Sequence, residues 1–106
     1  MLNKIKEHMK WYCIARKVKF KMWWYHKATM ILSGDELIAK SQELRKQCHE
    51  YFDSCPIETY QNIFKDGIGF ALVLMVVGMK KSGMYYESNI LEREIQRISE
   101  ENEKDN

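Results

Sequence analysis

Ile63-Phe64-Lys65-Asp66-Gly67-Ile68-Gly69-Phe70-Ala71-Leu72-Val73-Leu74-Met75-Val76-Val77-Gly78-Met79-Lys80-Lys81-Ser82-Gly83-Met84 is the stretch on which the fold turns. From Gly67 to Met79 every residue is apolar or glycine. Wound as a helix, that window is about 20 Å long at ~1.5 Å per residue, against the ~30 Å of a bilayer core. On length it suits either a buried core helix or a short membrane span. Three features favour the membrane. Leu72 through Val77 are apolar on every face, whereas a surface helix of a small domain keeps a polar side. Gly67, Gly69 and Gly78 each cost about 1 kcal/mol against alanine in a soluble helix but serve as close-packing positions between membrane helices. Lys65 on one flank and Lys80 with Lys81 on the other can extend the span by reaching toward headgroups.

The rest of the chain is helical by the same kind of reading. One proline and five glycines in 106 residues leave few turns, which favours long helices over a sheet. From residue 2 to about Leu32 neither proline nor glycine occurs. Leu2, Ile5, Met9, Tyr12 and Cys13 recur there at helical spacing, with lysines on the remaining positions. Residues 1–32 are therefore expected to form a basic amphipathic helix lying in a membrane interface, anchored there by Trp11, Trp23, Trp24 and Tyr25, while Lys80 and Lys81 are the interface residues at the end of the apolar window. A basic surface helix with an aromatic core face is the alternative.

Ser33 and Gly34 break the chain, and Ser33 or Asp35 is placed to cap a second helix over 35–54. Its apolar positions are Leu37, Ile38, Leu44, Cys48, Tyr51 and Phe52, and its outer face is polar. Pro56 suits the first turn of a third helix, 56–81, which carries the apolar window. Ser82-Gly83 ends it, and an acidic helical tail over 87–106 follows, with Ile90, Leu91, Ile95 and Ile98 on one face, a short seam of the coiled-coil kind. The expected class is all-α, in a single unit.

Charge is distributed in blocks. Net charge is +2, yet residues 1–34 carry eight lysines and arginines against Glu7 alone, while residues 82–106 carry seven acids and three bases. Blocks of this kind suit surfaces that face different neighbours. The basic, acid-poor amino terminus has the character of a mitochondrial import sequence, though without serine richness, so a targeting role is expected to leave it on the chain. Basic residues interleaved with aromatics can also grip nucleic acid, but no recognisable motif is present and no nucleic-acid partner is expected.

Motifs of catalysis are missing. Cys48 and Cys55 are seven residues apart, roughly 10 Å along a helix, too far for a disulfide without a bend. With His49 they lack the close cysteine pair of a zinc site, so no metal is expected. Gly78-Met79-Lys80-Lys81-Ser82 lacks the upstream glycine of a phosphate loop. No catalytic residue and no cofactor are expected; Gly67, Gly69 and Gly78 are read as helix-packing positions.

Two blocks resemble subunit g of the mitochondrial F-type ATP synthase. Met22-Trp23-Trp24-Tyr25-His26-Lys27, then Leu32 and Asp35-Glu36-Leu37-Ile38, is similar to the aromatic "FWYYAKVELxPP" block of that family and the acidic helix start after it. Phe64-Lys65-Asp66-Gly67-Ile68 through Val73-Leu74-Met75 to Tyr85-Tyr86 is similar to its single membrane helix, with "NGL…VLM…" and a glycine-rich basic ending of the type "GEIIGKRG". Ser33-Gly34 stands in place of the family's Pro-Pro, the apolar segment is about two residues shorter, its GxxxG motif is not intact, and 87–106 has no counterpart in the short members. Ser41-Gln42-Glu43-Leu44 is also similar to sporulation-type aspartyl-phosphate phosphatases, but Arg45 occupies the place of their functional aspartate.

The resemblance to subunit g implies a non-catalytic subunit of the mitochondrial inner membrane, supporting dimer assembly and membrane curvature beside the proton-translocating machinery. Its expected partners are other membrane subunits, and anionic lipids met by the basic helix. Two alternatives stand beside it: a supernumerary subunit of a respiratory-chain complex, and a small soluble helical binding or regulatory protein, cytoplasmic, with Gly67–Met79 as its core helix.

Overall fold

The computed structural model describes the backbone of residues 2–105 and the side chains of residues 3–101. It is all-α, as expected: α1 (Leu2–Ala28), α2 (Gly34–Ser54), α3 (Glu58–Lys81) and α4 (Tyr85–Asp105), with no strand among the described residues. α3 is the hub on which the other three helices pack.

Close contacts fix the directions. Gly34 lies against Gly78 and Cys48 against Gly67, so α2 runs antiparallel along most of α3. His8 meets Tyr60, Trp11 meets Phe64, Val18 meets Gly67, and Lys81 meets the residues just after α1. α1 is therefore parallel to α3 and lies across the α2–α3 hairpin. The shape is flat and elongated, 53 × 35 × 18 Å.

The helix ends follow from local chemistry. α1 stops at Ala28, four residues before the expected end. There the Ile31 and Leu32 amides both turn back to the Ala28 carbonyl, and the Thr29 hydroxyl donates to the His26 carbonyl. At α2, the Ser33 hydroxyl accepts the Glu36 amide at 3.2 Å, and Asp35 and Glu36 in the first turn suit the positive end of the helix dipole. Gly34, part of the expected break, is the first residue of α2. α3 begins two residues later than expected: Ile57 is its N-cap without a side-chain cap bond, and Pro56 stays in the connection. The Gln61 side-chain amide reaches back to the Cys55 carbonyl at 2.6 Å and holds that connection. After α3, the Gly83 amide donates to Lys80 and the Met84 amide to Met79, the paired bonds of a Schellman stop. That geometry needs a left-handed residue, and Gly83 supplies it at φ 80°.

The core lies where α1 crosses the hairpin. Trp11, Ala15 and Val18 of α1 meet Leu44 and Cys48 of α2, and Tyr60, Phe64 and Ala71 of α3. The Trp11 ring stands edge-on to Phe64 (centroids 5.9 Å apart) and to Tyr51 (6.5 Å), a favoured aromatic arrangement. The apolar face expected for α2 is the one it buries: Leu37, Leu44 and Cys48 are inside and Ile38, Tyr51 and Phe52 half-buried.

In α1, Ile5, Met9, Tyr12 and Cys13, the stripe expected to meet a membrane interface, are exposed (the Leu2 side chain lies outside the described residues), and the side that α1 buries in the fold is a different one: Trp11, Ala15, Val18 and Ala28. At about 3.6 residues per turn, Trp11, Ala15, Val18, Met22 and Tyr25 fall on one side of the helix and Ile5, Met9, Phe20 and Trp23 on the other. The helix has two apolar stripes. Spacing marks both, and only the shape of the hairpin selects which one it accepts: the groove beside Gly67 takes the slim Ala15–Val18 edge.

Candidate docking surface

The two stripes of α1 have separate fates. Trp11, expected at a membrane interface, is 5% exposed and part of the core. Its indole Nε1 has no hydrogen-bond partner there. Tyr25 is half-buried against the same core; burial, and then the nearby Glu43 carboxylate, push its hydroxyl pKa up. Trp23 and Trp24 are exposed as expected.

Those two tryptophans share the exposed side of α1 with the stripe expected at a membrane interface, and with Phe20, Met30 and Ile31, which that expectation did not include. Ile5, Met9, Tyr12, Phe20, Trp23 and Trp24 are each more than half exposed, and Met30 and Ile31 project from the turn that follows. Phe20 and Trp23 stack in a tilted pair at 5.9 Å. Between Cys13 and Phe20 is a shallow groove of about 450 Å³ whose walls carry Arg16, Lys17 and Lys21. Exposed large apolar side chains gathered on one helix face, here interrupted by Arg16 and Lys27, mark an interaction site more often than those scattered singly. Hydrophobic spacing on both sides of α1 was the signal that pointed to it.

The apolar window of α3 shows the opposite. Within Gly67–Met79 only Gly69 and Val73 are exposed, Val73 at 50%. α3 remains long and apolar enough to cross a membrane by length and composition. Two of the three glycines expected to pack helices do so inside this chain. A Cβ added at Gly78 would stand 2.8 Å from the Gly34 carbonyl oxygen and 3.0 Å from Ile38, and one at Gly67 would stand 2.6 Å from the Cys48 sulfur. Gly69 packs against nothing in the chain, since a Cβ there meets no atom within 4 Å. The two are split because positions 67 and 69 lie on different sides of the helix, and α2 covers only one.

Lys80 and Lys81, expected to reach toward headgroups, have partners within the fold. Lys80 pairs with Glu92 of α4, and Lys81 donates to the carbonyls of Thr29 and Leu32, the latter at 2.9 Å. Ser82 donates to Asp35 at 3.1 Å, so the end of α3, the start of α2 and the turn after α1 form one junction.

Chemistry of other kinds is sparse. Cys48 is fully buried; burial raises its pKa to about 11, partly opposed by the Lys21 charge, so the thiol stays protonated at neutral pH. Among the described residues, no three His, Cys, Asp or Glu side chains come together as a metal site. The hydroxyl of the core residue Tyr60 and Nδ1 of the exposed His8 are 2.9 Å apart. Comparison with known proteins finds no family model, no curated relative and no solved structure that matches this chain.

Proposed function

We propose that this chain is a non-catalytic assembly subunit of a membrane-bound complex, attached through the outer face of α1 and not through α3. The observation that carries this reading is a contrast in exposure: within the Gly67–Met79 window of α3 five residues are buried, six half-buried and only Gly69 and Val73 exposed, whereas α1, the most basic helix, leaves Ile5, Met9, Tyr12, Phe20, Trp23 and Trp24 each more than half exposed. α2 lies along α3 with Lys40, Glu43, Arg45 and Lys46 exposed, Arg45 and Lys46 beside Met75 of the apolar window. Carrying those four charges into a bilayer centre beside α3 costs on the order of 10 kcal/mol. Covering α3 with α2 and leaving the pair in water or at a surface avoids that cost.

The reading is tested by tagging the chain in the cells that make it and running a native gel. Co-migration with a large assembly, and release by Phe20→Glu with Trp23→Glu, are expected. A chain that runs alone as a small species sinks the proposal and leaves a soluble binding protein.

One observation favours a second reading, in which α3 crosses the inner mitochondrial membrane as in subunit g: its 24-residue length and its apolar composition. A respiratory-chain subunit would have the same architecture. Either requires α2 to leave α3. Alkaline carbonate extraction separates the readings, because a spanning α3 stays in the pellet and a surface-held chain is released.

A further inference from the structure

We infer that the partner of the α1 outer face is an anionic bilayer surface, into which this stripe inserts while the hairpin stays outside. The inference rests on the reading of α1 as the attachment face and names what it attaches to. Three observations support lipid over a protein partner.

The first is charge. α1 holds seven lysines, Arg16 and a single acid, Glu7, and among the described residues none of its bases is within ion-pair distance of a carboxylate. At 3.6 residues per turn, Lys6, Lys10 and Lys17 line one edge of the stripe and Lys19 the other, with Arg16 and Lys27 within it. Cations at the edges of an apolar face and within it meet headgroups as the face goes in.

The second is the kind of cation. Lysine is depleted from protein–protein interfaces and arginine is enriched, whereas lysine with tryptophan and phenylalanine is the composition of a helix lying at a membrane surface. Here lysine outnumbers arginine seven to one.

The third is geometry. Ile5 to Trp24 spans about 28 Å at ~1.5 Å per residue on one straight helix face. Met30 and Ile31 continue the apolar edge beyond it, and the α2–α3 hairpin lies entirely on the other side. Nothing in the fold has to open for the stripe to touch a plane. The groove between Cys13 and Phe20, with its apolar floor and its Arg16, Lys17 and Lys21 walls, suits an acidic headgroup above an acyl chain.

The test is sedimentation of the purified full chain with vesicles of phosphatidylcholine, and of phosphatidylcholine mixed with phosphatidylserine. Binding is expected on the acidic vesicles only, weakening as salt rises. Each lysine near an anionic surface contributes a factor of about five in affinity, so Lys6→Gln/Lys10→Gln/Lys17→Gln lowers it about a hundred-fold. Phe20→Ser/Trp23→Ser abolishes it, and Val73→Ser on α3 leaves it unchanged. Helical circular dichroism of each variant shows that the fold is kept.

Three results overturn the inference: equal binding to neutral vesicles, binding insensitive to the α1 variants but lost with Val73→Ser, or no binding at all. If the chain binds no vesicle yet still co-migrates with an assembly, attachment is to protein and only this inference fails. If it instead forms a dimer that the lysine variants dissociate, the acidic α4 of a second copy is the partner, and the lipid inference fails with it.

Discussion

Replacing Gly78 and Gly69 by alanine, one at a time, asks whether α2 covers α3. Both lie in the same helix and both gain about 1 kcal/mol of helix propensity on substitution. They differ in what the new methyl meets. At Gly69 it meets nothing within 4 Å. At Gly78 it meets the Gly34 carbonyl oxygen at 2.8 Å and Ile38 N and Cγ1 at 3.0 Å, two of them backbone atoms that no side-chain rotation can remove. Reaching ordinary contact requires the start of α2 to back away by more than half an ångström, disturbing the Ser82–Asp35 and Lys81–Leu32 bonds at the same junction. Overpacking of this kind costs roughly 1–3 kcal/mol, which cancels or exceeds the propensity gain. Gly69→Ala is thus expected to stabilise by about 1 kcal/mol, and Gly78→Ala to be neutral or destabilise by up to ~2 kcal/mol. At about 4–8 °C per kcal/mol for a domain of this size, the two melting temperatures should differ by at least several degrees. Thermal unfolding followed at 222 nm measures this directly. If Gly78→Ala stabilises as much as Gly69→Ala, α2 is not on α3 at that point. The covered state of the apolar window, and the functional proposal resting on it, would then be wrong.

The remaining predictions concern the core. Gly67→Ala should destabilise because its methyl would press on the Cys48 sulfur, and Cys48→Ala should restore part of the loss in the double variant; additive losses in urea unfolding would refute the contact. Cys48 also gives the fold a pH response. Its folded pKa is raised to about 11 from 9.0, so above pH 9 the unfolded chain loses a proton that the folded chain keeps. Stability should therefore fall between pH 9 and 11, by at most ~2–3 kcal/mol, and the difference in pH slope between the native chain and Cys48→Ala measures it. Trp11→Ala should cost about 3–5 kcal/mol, but Trp11→Phe much less, because it removes a buried indole N–H that has no partner. Similar losses in chemical denaturation would show that the indole finds a partner after all.

The elements that were legible in the sequence are those set by local chemistry. Ser33 as a cap and Ser82-Gly83 as a stop mark helix ends whatever the rest of the chain does, and the lone Pro56 marks the break between α2 and α3, though it stays in the connection and not in the first turn expected for it. The α2 stripe was legible because that helix has a single apolar side. α1 was not, since Ile5-Met9-Tyr12 and Trp11-Ala15-Val18 satisfy the same spacing, and the choice between them depends on a groove made by residues 30 to 60 positions away. Trp11 was misassigned to a membrane interface for that reason, while Trp23 and Trp24 remained on the exposed side. The apolar window was legible as a helix, but its surroundings were not. Burial of Gly67–Met79 depends on how closely α2 approaches, and that is decided by the pairing of Gly34 with Gly78, two glycines 44 positions apart that no local pattern connects.

The parallel placement of α1 on α3 also sets an order in time. α2 and α3 are neighbours in the chain and close through a three-residue connection, so their pairing needs little loop closure. α1 meets α3 at separations of about fifty residues, as His8 with Tyr60 and Trp11 with Phe64 show. On a ribosome α1 emerges first and waits, with both apolar stripes bare, until its acceptor has been made. Substitutions in the hairpin core such as Leu44→Ala should slow refolding, whereas Val18→Ala should mainly speed unfolding; the reverse pattern would mean that α1 docks early. The helix that carries the attachment face is thus fixed after the hairpin it docks on, yet is available to a surface before that hairpin exists.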